Sequence, residues 1–345
     1  MATNNDIEKR LWAAADQTPL GRHTAPDDAE NPASKGVIMT DSTALQTLQD
    51  RFAIPGAVRF EVGPKGLTRI VVDTPQAEAQ VYLHGGHVTH YQPRGDRPVM
   101  FMSERSRFDP GAPIRGGVPV VFPWFGQRAG EPSAPMHGFA RLEEWGVESA
   151  TQAPDGSVMI VLGLDSRSTT HPSWPHAYTL RYRVVIGGTL DLTLEVHNRA
   201  DTPVTFEEAL HTYLAVSDIR QVSVAGLTGT RYIDKTDGMK QKTQESDLLR
   251  ITGETDRMYL RTRATCVVDD PEAGRLLTVE KSGSDATVVW NPWVAKAKAM
   301  PDFGDDEWQQ MLCIETGNVA DHAVMLAPGR RHEMGTTIRS EPRQA

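Results

Sequence analysis

The sequence predicts an all-β protein built as a large antiparallel β-sandwich, and three observations support this. From residue 58 onward, apolar residues recur with a period of two, which is typical of strands with one buried face. The 345 residues include 29 Gly and 23 Pro, as expected for many turns between short strands. No linker or change in composition divides residues 39–345, which favours a single sandwich domain over two domains.

The elements follow from local patterns in chain order. A helix is predicted over residues 43–52, followed by a hairpin in which the strands VRFEV and LTRIVVD flank the turn GPKG. The clearest strand is LDLTLEVHN at 190–198, where apolar and polar residues alternate. Further short strands are predicted at VMIVLGL, LRYRVVI, CVVDD, LLTVEK, TVVW and MLCIETG. Little of the chain is left for helix.

Residues 1–38 differ from the rest of the chain. A capping-box pattern at 5–8 could start a short helix, but the stretch QTPLGRHTAPDDAENPASKG has few large apolar side chains. Such a segment buries too little surface to offset its ordering entropy. We predict a disordered or appended arm, with Met39 as an alternative start of the chain.

Composition limits the possible partners. With 36 Lys+Arg against 45 Asp+Glu the net charge is −9, and without a basic run the chain is not expected to bind nucleic acid. The sequence contains neither an apolar run of membrane-spanning length nor a secretory signal, so a cytoplasmic protein is expected. The two cysteines form no C-x-x-C motif, which argues against a disulfide framework and a structural zinc. The oligomeric state stays open, a monomer included.

Two arginines are candidates for binding an anion. Arg115 precedes Gly116 and Gly117, which permit a sharp turn or a close approach to a ligand, and Arg141 follows in HGFAR. The planar fork of a guanidinium can bind phosphate through two hydrogen bonds. An equally acceptable interpretation is that both arginines pair with nearby carboxylates such as Glu143.

Two further residues are candidates for proton transfer. His211 lies in the alternating run EEALHTYLAVSDI, and an imidazole can donate a proton near neutral pH, although a hydrogen-bonded structural histidine is the common alternative. Glu315 lies in the otherwise apolar strand MLCIETG. A carboxylate in that position is costly unless it is paired or used in catalysis.

Two other groups of residues are weaker candidates. His84, His87 and His90 are spaced like metal ligands, but on an extended strand only the first and third share a face, so no metal site is predicted. The tryptophans at 124, 174, 290 and 293 could stack on sugar rings or fill the core, and the core is favoured for most of them.

Several segments in order resemble the glucose-6-phosphate 1-epimerases (hexose-6-phosphate mutarotases), which are relatives of the aldose 1-epimerases. The resemblance covers residues 50–340 and rests on seven motifs: GGHVTHYQP, FDPGAPIRGGVPVVFPWFG, HGFAR, WPHAYTLRY, LHTYLAVSDI, VAGLTGTRYIDK and VVWNPWVAKAKAMPDFGDDEWQQMLCIETGNV. It implies a β-sandwich of the galactose-mutarotase type, a supersandwich. It also implies that the enzyme interconverts the α and β anomers of a hexose 6-phosphate, a small-molecule substrate, without a metal or organic cofactor.

The resemblance also assigns roles to individual residues. It implies that His211 and Glu315 form the catalytic pair, with ionised Glu315 as base and protonated His211 as acid. Substrate contacts are implied for Arg115, Arg141 and Asp234, with the arginines holding the phosphate and Asp234 a sugar hydroxyl. Two further positions lie at the start of the HGFAR segment that carries Arg141. His137 matches the family and is implied to line the pocket. Met136, just before it, replaces the usual Gln, so that one hydrogen bond to the sugar is missing or supplied by a neighbour.

Two other functions compete with this prediction. A sandwich that binds sugars or sugar phosphates as a sensor, without turnover, would accommodate Met136. A glycosidase would need a second carboxylate, and the sequence offers no clear candidate for one.

Overall fold

The computed structural model describes residues 41–167 and 171–343. The predictions for residues 1–38 and Met39 therefore lie outside the described residues. The described chain contains two α-helices, α1 (Asp41–Phe52) and α2 (Trp293–Ala299), and the first confirms the helix predicted over 43–52. None of its helices has the length and apolar character needed to cross a membrane.

Antiparallel strands are the predominant secondary structure of the described residues, as predicted. The first four form one sheet in chain order: β1 (Val58–Val62), β2 (Thr68–Asp73), β3 (Ala77–Tyr82) and β4 (His87–Pro93). The predicted hairpin is confirmed by the pairing of β1 with β2. Two short strands, β10 (Val204–Phe206) and β21 (Val324–Leu326), pair separately.

We call the first of two eight-stranded sheets the scaffold sheet. Its strands, from one edge to the other, are β13 (Ser223–Ala225), β17 (Cys266–Asp270), β18 (Arg275–Ser282), β22 (Arg331–Pro342), β9 (Leu190–Asn198), β8 (Tyr178–Ile186), β7 (Val158–Asp165) and β6 (Gly146–Gln152). The strand predicted at 190–198 is confirmed, because β9 has the same bounds.

We call the second the site sheet, because it carries the candidate pair. Its strands, in order, are β15 (Lys240–Thr243), β14 (Arg231–Asp234), β16 (Thr255–Leu260), β19 (Ala286–Asn291), β20 (Met311–Asn318), β11 (Glu208–Leu210) and β5 (Val120–Val121), with β12 (Tyr213–Ala215) also on β20. One hydrophobic cluster joins all three larger sheets through residues such as Val81, Leu194 and Ile314. The pairing and the shared core confirm the all-β sandwich.

Candidate active site

The structure brings His211 and Glu315 into contact. Glu315 lies on β20, and His211 lies in the two-residue break between β11 and β12, which both pair with β20. The Nε2 atom of His211 is 3.3 Å from Oε1 of Glu315. The two residues are only 7% and 1% exposed, respectively, so solvent screens this contact little.

Three aromatic rings hold the imidazole of His211 in place. The ring of Tyr213 stacks on it at 4.8 Å between centroids, with an interplanar angle of 13°. Trp290 meets it edge-on at 6.0 Å and His137 at 5.5 Å. The orientation of the imidazole is therefore set by packing on several sides before any substrate binds.

Burial disfavours the charged form of both members of the pair. It lowers the pKa of His211 well below its ordinary value, and the nearby charges of Arg141 and Arg115 lower it further. It raises the pKa of Glu315 well above its ordinary value, and the charge of Asp256 adds to this effect. In the free protein these directions favour a neutral imidazole and a protonated carboxyl group.

The pair also has unused hydrogen-bonding capacity. Nδ1 of His211 and Oε2 of Glu315 are buried and have no hydrogen-bond partner among the described residues. A buried polar atom without a partner is costly, so each is a candidate contact for a ligand. The arrangement can share one proton across 3.3 Å and exchange protons with a bound molecule.

Arg115 lies beside this pair and already has two partners. Its Nε and Nη2 donate to Oδ2 of Asp302 at 3.2 and 3.1 Å, and its Nη1 donates to Oη of Tyr213 at 3.0 Å. The carboxylate that pairs with Arg115 is therefore that of Asp302, and not the nearby Glu143 considered from the sequence. Burial alone would lower the pKa of Arg115, but the contacts with Tyr213 and Asp302 raise it.

The two glycines after Arg115 are required by a close backbone approach. Gly116 and Gly117 have φ values of +115° and +58°. A Cβ atom on Gly117 would lie 2.2 Å from the carbonyl oxygen of Val88. The sharp turn expected from the sequence is thus present, and it fixes the backbone next to Arg115.

Arg141 is the more deeply buried of the two arginines. Its Nη2 donates to the carbonyl oxygen of Met136 at 2.6 Å, and its buried Nε has no partner among the described residues. Burial, with the charge of Arg115 second, lowers the pKa of Arg141 to about 10. This guanidinium therefore has a donor available for an anionic ligand.

Met136 and His137 lie at the rim of the site. Met136 is 53% exposed, and its backbone carbonyl oxygen, not its thioether, accepts the hydrogen bond from Arg141. His137 has a φ of +63°, rare for a residue other than glycine, and its Nδ1 accepts a hydrogen bond from the backbone of Gly126 at 3.2 Å. Its ring contacts that of His211, so the structure places His137 against the pair.

Asp234 is the one predicted site residue that the structure does not bring to the pair. A row of directly paired residues crosses the site sheet from Glu315 to Val288, Met258 and Ile233. Asp234 follows Ile233, so its side chain lies on the opposite face of the sheet from Glu315. Its carboxylate is occupied by Lys242, at 2.8 Å, and by Thr236.

Asp256 is the carboxylate that shares a face with Glu315. It pairs directly with Trp290, which pairs with Cys313, two residues before Glu315. Nζ of Lys235 lies 3.0 Å from Oδ2 of Asp256. Sequence analysis missed both residues, because no strand was predicted at TDRMYL and, beside Lys235, the motif singled out Asp234.

A metal ion has one conceivable place among the described residues. Ligand atoms of His211, Cys313 and Glu315 lie within 4.8 Å of one another, and these residue types can bind zinc. Arg115 and Arg141 both lower the pKa of the histidine, which shows that their charges reach the place a dication would occupy. The residues therefore suit an uncharged or anionic ligand better than a metal ion.

The other histidines and tryptophans have structural contacts. Nε2 of His84 lies 2.8 Å from the carbonyl oxygen of Ala112, and that of His87 lies 2.7 Å from the carbonyl oxygen of Gly116. Among the four tryptophans named above, Trp290 contacts the pair, and it is 8% exposed. The tryptophans at 124 and 174 are buried in the main hydrophobic cluster, as expected for core residues, and the one at 293 packs against it.

Comparisons with known proteins point to one family. Residues 68–339 match the family described as Aldose 1-epimerase. An Escherichia coli K12 protein named "Putative glucose-6-phosphate 1-epimerase" is 36% identical over 255 residues, which are 74% of this chain and 84% of that protein. A Cenchrus ciliaris protein of the same name is 34% identical over 275 residues, covering 77% and 82% of the two chains.

Solved structures give the same result. The crystal structure of a "putative mutarotase" from Salmonella typhimurium is similar with a TM-score of 0.79 at 32% identity, covering 85% of this chain and 96% of that chain. A galactose 1-epimerase from Lactobacillus acidophilus is similar with a TM-score of 0.66 at 12% identity, covering 83% and 99%. The second match shows the shared fold alone.

Proposed function

The chain belongs to the aldose 1-epimerase family, enzymes that interconvert sugar anomers, and on that premise we propose that its substrate is a hexose 6-phosphate. Glucose 6-phosphate is the first candidate, because the relatives at 34% and 36% identity are named for it. The observation that carries the proposal is the buried contact between His211 and Glu315 with Arg115 and Arg141 beside it.

Interconverting two anomers requires opening and closing the sugar ring. A base removes the proton from the C1 hydroxyl while an acid protonates the ring oxygen, so the bond from C1 to the ring oxygen breaks and an aldehyde forms. The aldehyde rotates about the C1–C2 bond and closes on its other face, with the two roles reversed. Proton movement alone completes this cycle, and Glu315 as base with His211 as acid can supply it.

The starting state expected from the sequence is an ionised Glu315 with a protonated His211, and substrate binding has to favour it. The free protein favours a protonated Glu315 and a neutral His211, which is the reverse of the starting state that ring opening needs. A bound phosphate would offset the charges of Arg115 and Arg141, which both lower the pKa of His211, whereas of these two only Arg141 lowers that of Glu315. We infer that substrate binding favours transfer of the shared proton from the carboxyl group to the imidazole, across the 3.3 Å contact.

The two arginines and one carboxylate have separate roles in recognition. Arg115 and Arg141 hold the phosphate, since each has donors left and a dianion would balance their charges. Asp256, not Asp234, takes a ring hydroxyl, because it lies on the same sheet face as Glu315 and Lys235 holds it there. Orientation of the sugar between these groups supplies part of the rate enhancement.

NMR exchange between the α and β anomers of glucose 6-phosphate tests this function. The wild-type protein should accelerate exchange, and Glu315→Gln should remove about 10²- to 10⁴-fold of the acceleration, the usual contribution of one proton-transfer group. Saturable binding of glucose 6-phosphate without acceleration would instead establish the sensor, the alternative favoured by the exposed Met136. Cleavage of glycosides would establish a glycosidase.

Substitution of Arg115 tests the phosphate assignment. Arg115→Ala should lower the preference for glucose 6-phosphate over glucose by about 1.5 to 3 kcal/mol, the range for a hydrogen bond to a charged group. The measurement is the ratio of kcat/KM for the two sugars. An unchanged ratio would contradict the role of Arg115 in holding the phosphate.

A further inference from the structure

We propose that Asp302, together with Tyr213, positions Arg115 so that the edge formed by its terminal nitrogens faces the phosphate. This inference rests on the proposed function, since it concerns how the same site distinguishes phosphorylated from free sugar. Asp302 lies in the segment between α2 and β20, far from Arg115 in the sequence. Its ion pair is with Arg115, and it would act on the substrate through that arginine.

The contacts of Arg115 leave one direction open. A guanidinium has five N–H donors in one plane, and three are used: two by Oδ2 of Asp302 and one by Oη of Tyr213. Asp302 covers the edge formed by Nε and Nη2. The two remaining N–H groups belong to Nη1 and Nη2, one on each. A phosphate therefore has to approach the end of the side chain, where both terminal nitrogens are within reach.

Burial makes this arrangement specific. The side chains of Arg115 and Asp302 are 20% and 13% exposed, so the ion pair is weakly screened compared with a surface pair. The backbone on the other side of Arg115 is fixed by the close approach at Gly117. An arginine held at both ends loses less side-chain entropy when a ligand binds.

Tyr213 links this arrangement to the catalytic pair. Its hydroxyl oxygen accepts a hydrogen bond from Arg115, and its ring stacks on the imidazole of His211 at 4.8 Å. One side chain therefore contacts both the phosphate-binding arginine and the proposed acid. The distance between the phosphate and the reacting end of the sugar is fixed in part by this tyrosine.

The test is Asp302→Asn, assayed on glucose 6-phosphate and on glucose. Asparagine keeps the shape but removes the charge, so KM for glucose 6-phosphate should rise roughly tenfold, the cost of weakening one charge-assisted hydrogen bond. The kcat for glucose 6-phosphate and the kcat/KM for glucose should stay at the wild-type values. This split between KM and kcat separates a positioning residue from a merely structural one.

Asp305→Asn is the matched control. Asp305 lies three residues further along the same segment and forms an exposed ion pair with Arg105 at 2.7 Å, so this variant makes the same chemical change away from Arg115. Its KM and kcat should equal those of the wild type. Should Asp302→Asn fail to fold, Asp302→Glu takes its place: it keeps the charge but moves the carboxylate away from Arg115, so KM for glucose 6-phosphate should rise while kcat/KM for glucose stays at the wild-type value.

The outcomes separate this inference from the proposed function. An unchanged or lower KM for glucose 6-phosphate in Asp302→Asn, or an equal loss on both sugars, would overturn the positioning role. If Arg115→Ala still loses the phosphate preference in that case, the proposed function stands without Asp302. If Arg115→Ala keeps the preference, the phosphate assignment itself fails, and this inference fails with it.

Discussion

Two histidine–glutamate pairs, each with a buried carboxylate, differ in their hydrogen bonds and in the charges around them. In the first, Nε2 of His211 lies 3.3 Å from Glu315, and each partner keeps a buried polar atom without a hydrogen bond among the described residues. In the second, Nε2 of His332 lies 2.8 Å from Oε1 of Glu208, which also accepts a hydrogen bond from Asn318 at 2.9 Å, and of this pair only Oε2 of Glu208 is a buried polar atom without a partner among the described residues.

Their surroundings differ in charge. Cations lie near His211, and burial lowers its pKa while Arg141 and Arg115 lower it further. Burial alone would also lower the pKa of His332, but the hydrogen bond and charge of Glu208 more than offset it and raise the pKa. The charge of Glu208 thus favours a protonated His332, whereas burial and the nearby arginines favour the neutral form of His211. The comparison shows that the environment of such a pair, more than its residue types, indicates its role.

The largest expected difference is in activity. His211→Gln should lower kcat by about 10²- to 10⁴-fold, because one proton-transfer group is lost. His332→Gln should leave kcat close to that of the wild type at a temperature where both proteins are folded. NMR anomer exchange measures both. Equal losses in the two variants would show that the comparison does not separate catalysis from structure.

A smaller difference is expected in stability, and here His332→Gln should lose more than His211→Gln. His332→Gln should lower the free energy of unfolding by about 2 kcal/mol, since it weakens a hydrogen bond to a carboxylate that is fully buried. His211→Gln should cost less, because that imidazole has a buried nitrogen without a partner among the described residues. Urea denaturation at neutral pH measures both values. A larger loss in His211→Gln would contradict the structural role given to the second pair.

The smallest expected effect is in the pH dependence of stability, and it has opposite signs for the two histidines. The raised pKa of His332 contributes stability that is fully present below about pH 6.5, its unfolded value, and lost as pH rises through the folded pKa. The lowered pKa of His211 makes the native state lose stability as pH falls below about 6.5. As pH falls, the free energy of unfolding of His332→Gln should therefore decrease relative to that of the wild type. That of His211→Gln should increase relative to the wild type in the same denaturation series.

The sequence predicted the scaffold better than the site because the two follow different physical rules. In the first half of β9, buried and partly exposed residues alternate, so the period of two is visible in the amino-acid sequence alone. In β20 all eight residues are buried, and a strand with two covered faces shows no alternation. The strand β20 was nevertheless predicted from its apolar run MLCIETG, whereas β16 was missed, because its run of mixed polarity has no clean period.

For the site residues, local motifs and strand register also have to be distinguished. His211, Glu315, Arg115 and Arg141 were identified from motifs, and the structure brings them together. Asp234 was assigned from a motif, and the next residue, Lys235, holds Asp256 on the sheet face that carries Glu315. A shift of one position on a strand moves a side chain to the other face. That choice depends on strand register, which no local pattern determines.

The interactions of Arg115 also determine at what stage of folding the site forms. Its partners Tyr213 and Asp302 are 98 and 187 residues away along the chain. Contacts between such distant segments close large loops, and in β proteins they form slowly. A refolding chain should therefore regain most of its strand signal before it distinguishes phosphorylated from free sugar, and no fragment that lacks either end of the sandwich should retain that discrimination.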